Sequence, residues 1–290
     1  MKKSDLLLSL GRRLWLLLCL FIVGYAVCVG ISIVLNKVLQ NNAAAYLRIS
    51  MVVQDLCVFA IPAIGTACMI CRKPADLLGL MKGGSAQAYF AVFAILFFSI
   101  PLMETIVYWN AHLHFPPSME AFEKVAREME ETASSLTETL LRSNTSIIGL
   151  IVNLLIIGVL AGFSEELLFR GCFQRLLTTG GVNVHVSIWT VAFVFSAFHF
   201  QVFGFVPRLL LGAYFGYLML WTGSVRVPML AHILNNSIYV IIAWLQLLKD
   251  PNVLLSSSDA GELYSWPVVL CSVIATSAAL VSLKLSSKRQ

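Results

Sequence analysis

Apolar residues in this chain run in long unbroken blocks, and the polar residues gather between them. The first block, Leu14–Leu35, holds 22 residues without a charge. It is too long for the core of a signal peptide and long enough to cross a bilayer. Seven further blocks follow, at roughly 51–71, 88–109, 147–170, 185–203, 205–221, 225–246 and 264–283. A backbone immersed in hydrocarbon must satisfy its own hydrogen bonds, so runs of this length ask for helices. The pattern predicts an all-α, polytopic membrane helix bundle of about eight transmembrane helices. One polar stretch, 110–146, interrupts the series. There Pro116 and Pro117 break the chain and Ser118 can cap a helix. Its apolar positions, Phe122, Val125, Met129, Ala133, Leu136 and Leu140, recur in steps of three and four. The rest of that helix is largely acidic. It is expected to be amphipathic and to lie at the interface between two spans, with a lid or substrate gate as the alternative.

Composition agrees with the pattern. Hydrophobic residues make up 59% of the 290 and charged ones only 12%, half the charge of an ordinary soluble domain. That excludes a soluble enzyme and the disordered and collagen-like classes. The net charge of +5 is spread over loop ends, so nothing suggests a nucleic-acid partner. The seven cysteines lie in or beside apolar runs, Cys68 and Cys71 included. They read as small buried side chains rather than as a redox or metal pair. With eight spans both termini fall on one side. Twelve basic residues, Lys2, Lys3, Lys288 and Arg289 among them, lie on that side against six on the other. The positive-inside rule then makes the termini cytoplasmic, in an integral multi-pass protein expected in a bacterial inner membrane.

Charged side chains inside spans are expensive and mark function by default. Asp55 and Glu104 are single acids read near span ends, where helix packing or snorkelling suffices. Residues 165–170 carry two adjacent carboxylates and a guanidinium, Glu165, Glu166 and Arg170. On a helix Glu166 and Arg170 are four apart and can pair, which leaves Glu165 free for another task such as that of a general base. Phe195 and His199 are four apart in a later span, and His232 and Asn236 in another. Each pair shares one helix side. Together these groups make a polar cluster in the bundle core, able to bind a metal, relay protons or hydrolyse an amide.

The three elements, E-E-x-x-x-R at Glu165–Arg170, F-x-x-x-H at Phe195–His199 and H-x-x-x-N at His232–Asn236, occur in this order on successive spans. In this the chain resembles the CPBP family, which groups CAAX prenyl endopeptidases of the Ras-converting type with bacterial Abi-type bacteriocin-processing and self-immunity proteins. The resemblance covers about 147–246. It implies an intramembrane endopeptidase in which Glu165 activates water and His199 orients that water or shares its proton. His232 and Asn236 would donate to the oxyanion, while Glu166 and Arg170 fix the position of Glu165. The chain then divides into N-terminal helices with the acidic loop helix (1–146), a catalytic core (147–246) and a C-terminal helix with a basic tail (247–290). The expected partners are membrane lipid and a membrane-associated protein or peptide, such as a signal-like peptide or bacteriocin precursor. No cofactor is expected. The alternative is a zinc enzyme with Glu165, His199 and His232 as ligands. A proton-coupled transporter and a non-catalytic scaffold are the other readings, and the lack of an internal repeat disfavours the transporter. Two expectations concern depth. Counted along their spans, His199 would lie about 20 Å and His232 about 10 Å from the basic side, a mismatch unless Val182–Ile188 runs along the interface. The site is also expected to open toward that basic side.

Overall fold

A computed structural model describes residues 8–250 and 264–287; Lys2, Lys3, Lys288 and Arg289 lie outside them. Those residues form nine main helices: α1 (Leu10–Val38), α2 (Ala43–Ile70), α3 (Ala86–Ala111), α4 (Glu120–Arg142), α5 (Ile147–Thr179), α6 (Val184–Ala197), α7 (Phe205–Thr222), α8 (Arg226–Lys249) and α9 (Trp266–Ser287). Among the described residues there is no strand. Seven helices are long and apolar enough to span a membrane. The protein is an integral, multi-pass membrane protein. The remaining apolar block, 185–203, is present as α6, but its 14 residues extend only about 21 Å.

The helices pack from the apolar sides that their sequences supply. α2 and α5 run side by side, with the rings of Phe59 and Phe169 6.1 Å apart. α6 and α7 form a hairpin against the end of α5, where Gly212 faces Ala192 and Gly216 faces Ile188. α9 lies against α3 beside Pro101, which stands inside that helix. There the Ser272 hydroxyl accepts from Leu102 N (3.2 Å) and donates to Phe98 O (2.6 Å). A side chain has been inserted into the helical ladder that the proline opens.

Three π-helical stretches widen the two central helices: Asp55–Ala60 in α2, and Leu154–Leu160 and Leu167–Gln174 in α5. Pro62, which lacks an N–H, stands two residues after the first. Such wide turns concentrate at functional sites, and these three flank the polar cluster.

The segment between α2 and α3 packs over the start of α8. Val225 N donates to Gly79 O at 3.2 Å, and Leu77, Val225 and Val227 are fully buried. This bears on the expected mismatch in depth. His232 counts as shallow along α8, yet the first turn of that helix is itself covered. α6 begins at Val184 and ends before His199, so no stretch along the interface is needed to bring the histidines together.

Candidate active site

Glu165 and Glu166 sit where α5 passes from α-helical to π-helical geometry. Glu166 is fully buried, as is Arg170. Arg170 Nη1 donates to Glu166 Oε1 at 2.6 Å and Nη2 to Gly212 O at 2.8 Å. The guanidinium also lies 4.7 Å from the Phe195 ring centre and 5.3 Å from that of Phe215. A charge removed from water this completely needs that many partners.

His232 joins the same carboxylate, its Nδ1 2.9 Å from Glu166 Oε1. The carboxylate can only accept there, so His232 carries its proton on Nδ1 and keeps Nε2 for other work. Its ring stacks on Phe215 (5.0 Å) and meets the edge of Phe195 (5.8 Å). Phe195 in turn touches the ring of His199 at 5.1 Å. His199 stands in the turn after α6, with Nδ1 2.9 Å from Phe195 O. That too leaves an unprotonated Nε2 when the ring is neutral. One phenylalanine therefore separates the two histidines.

Glu165 does not share in the Glu166–Arg170 bridge. It is half-buried, and its Oε2 is buried without a hydrogen-bond partner. The charges that act on it are those of His232, Glu166, Arg170 and Arg208. Asn236 lies one turn beyond His232 but is engaged elsewhere, donating to Ile157 O at 3.1 Å and accepting from Asn235 Nδ2 at 3.3 Å. The structure thus joins Glu166, Arg170, Phe195, His232 and His199 through direct contacts, with Glu165 beside them. Asn236 belongs to an adjoining hydrogen-bond group.

Two residues on this cluster lie outside the motifs. Asp55 is 4% exposed, lies well inside α2 rather than near its end, and feels the charge of Glu165. The register shows why. Phe59 faces Phe169, and one turn earlier on each helix come Asp55 and Glu165. Arg208, on α7, bridges outward. Its Nη2 donates to Gln201 Oε1 at 2.5 Å, and Gln201 Nε2 donates to Glu130 Oε1 of α4 at 2.9 Å. Burial pushes the Glu130 carboxyl above its ordinary value. A lone acid and a lone cation, each within an apolar run, were the available signals for both residues.

The direction of the polar side chains differs from the expected opening. Toward the basic side lie Leu77, Leu78, Val225 and Val227, all 3% exposed or less. From Glu165 the polar groups continue the other way, through Arg208 and Gln201 to α4. Among the described residues no three His, Cys, Asp or Glu side chains come together as a metal site requires. Glu165, His199 and His232 do not fit that ion as placed.

All the motif residues fall within one matched segment. Residues 147–238 match the family model described as type II CAAX prenyl endopeptidase Rce1-like. The resemblance read from the three motifs holds for this segment. A curated relative is similar over part of its length: the uncharacterized protein YpbD of Bacillus subtilis (strain 168), 29% identical over 93 residues. That alignment takes in 31% of this chain and 44% of the relative, so the chain spans less than half of the protein it matches. No solved structure matches. The Rce1-like segment begins with α5 and ends within α8, so Asp55, α4 and α9 lie outside it.

Proposed function

We propose that the protein is an intramembrane endopeptidase that hydrolyses a peptide bond of a membrane-associated substrate. The observation that carries this reading is the convergence of Glu166, Arg170, Phe195, His232 and His199 in contact, with an uncommitted carboxylate, Glu165, beside them. Glu165 takes a proton from water as the water oxygen attacks the carbonyl carbon. It returns that proton to the amine when the carbon–nitrogen bond breaks. His199, with Nε2 unprotonated, orients the water. His232 donates to the oxyanion from Nε2 as an imidazolium, with Glu166 as its counter-charge, and Asn236 contributes its second amide hydrogen. Glu166 and Arg170 hold the two helices so that these groups face one another.

Hydrolysis on this reading proceeds without a resident metal, and its substrate is a bacterial membrane peptide. The test compares membrane-bound peptides from cells carrying wild-type protein or Glu165→Ala at equal expression. A peptide that is shortened only with the wild type supports the proposal. Identical peptide profiles in the two strains count against it. Metal independence has its own check. Protein purified without chelators is assayed for zinc and, after exhaustive chelation, for cleavage. One zinc per chain, with activity lost on removal and restored on re-addition, overturns that part.

A further inference from the structure

α4 presents its faces to its surroundings in an unusual order. Over its first three turns the side toward the bundle is polar or small: Glu123 and Glu130 are partly buried there and Ala126 is 3% exposed, and only at its end do the apolar Leu140 and Leu141 turn inward. Glu130 is the residue that reaches Gln201, and Arg127 lies 4.2 Å over the Phe203 ring. Both contacts hold the tip of the α6–α7 hairpin. Four large apolar residues point away from the protein: Phe122, Val125, Met129 and Leu136 are 43–54% exposed. At about 100° per residue these four fall within one narrow edge of the helix. A third face, with Lys124, Glu128, Glu131 and Ser135, is exposed and polar. A helix with one edge for protein, one for hydrocarbon and one for water has the geometry of a boundary.

The helices around it mark the same level. Trp109 at the end of α3 and Trp266 at the start of α9 are exposed. Trp244, late in α8, donates to Thr145 O at 2.7 Å in the turn that follows α4. Tryptophans collect where a bilayer meets water. The outward residues of α8 on this half, Ile238, Ile241, Ile242 and Leu245, are exposed and apolar as well. The apolar edge of α4 thus continues a surface that already faces lipid.

We propose that α4 is seated in the membrane–water interface, with Val125, Met129 and Leu136 against lipid acyl chains and its polar inner face bound to the hairpin tip that carries His199. The inference does not depend on the protein being a peptidase. Seating of this kind scales with the apolar area buried and leaves the charged face hydrated.

The experiment places p-benzoylphenylalanine at Val125, Met129 or Leu136, and separately at Lys124, Glu128 or Glu131. Each variant of the full chain is irradiated in vesicles of phosphatidylethanolamine and phosphatidylglycerol and analysed by mass spectrometry. All six positions are exposed, so the substitutions leave packing intact, and monodisperse elution of each variant checks this. Lipid adducts in large excess at the first three positions over the last three are expected. Adducts joining two chains at the apolar edge overturn the proposal in favour of a second copy. Equal yields on both faces, or no lipid adduct at any position, overturn it in favour of a water-exposed helix.

Discussion

Replacing Glu165 by glutamine keeps the volume of the side chain and removes the base. Cleavage should fall by about 10²–10⁴-fold, the usual contribution of general acid–base catalysis, with the unfolding transition in denaturing detergent unmoved. Glu166→Gln should behave differently. It leaves Arg170, fully buried, without its counter-charge, and breaking such a pair costs about 3–5 kcal/mol. The same unfolding measurement should show that loss, and an unchanged midpoint for Glu166→Gln would contradict the assignment. The sequence shows why the two neighbours differ, since a spacing of four ties Glu166 to Arg170 and excludes Glu165. It cannot show that His232 binds the same carboxylate oxygen, because that contact joins residues 66 apart in sequence. Asp55 was misread for a similar reason. Its isolation in an apolar run is visible, but its position opposite Glu165 depends on how α2 and α5 are aligned.

Among the elements, the contact of α5 with α8 sets the distance between Glu166 and His232. A Cβ at Gly162 would lie 2.9 Å from Ile233 N and 3.2 Å from Ile233 Cα, so backbone must move to admit it. Gly162→Ala is expected to destabilise by about 1–3 kcal/mol, as overpacking does, and to lower cleavage further by separating the site. Gly83→Ala, with nothing within 4 Å of its Cβ, is the matched neutral control. The start of α4 carries a pH-dependent tie. Glu123 accepts from Phe115 N at 2.7 Å and from Arg127 at 2.6 Å, and its carboxyl is held down at about 2, with the Phe115 bond the largest cause. A depressed carboxyl contributes stability that is full above the ordinary glutamate value of about 4.3 and is lost as the pH falls through the folded value. The Phe115 amide should therefore resist hydrogen exchange, after correction for intrinsic rates, down to about pH 3. Protection should disappear as the pH falls through about 2. Loss of protection already between pH 5 and 4 would rule the tie out. The period of α4 was legible in the sequence, but which edge faces the protein was not. Glu130 and Arg127 reach partners on the hairpin that no local pattern announces.

At the scale of the whole molecule, contacts between helix ends put several termini on one side. Arg13 near the start of α1 donates to Thr179 at the end of α5. Leu283 near the end of α9 packs with Ala88 and Val92 at the start of α3. The α6–α7 hairpin returns the chain to the side it left, so its depth does not alter this parity. Reporters fused to the two ends should respond alike in intact cells, and opposite responses would break the arrangement. The short hairpin arm α6 has a consequence for the surrounding bilayer. At about 21 Å it falls about 9 Å short of a hydrocarbon layer of about 30 Å. Each ångström of such a deficit carries a modest energy, relieved when the membrane thins locally. His199 stands at the end of that arm, so acyl-chain length becomes a variable of the reaction. Cleavage should run faster in vesicles of short-chain lipids than of long-chain ones with the same headgroups, and a rate indifferent to chain length would show that α6 is held in place by protein alone.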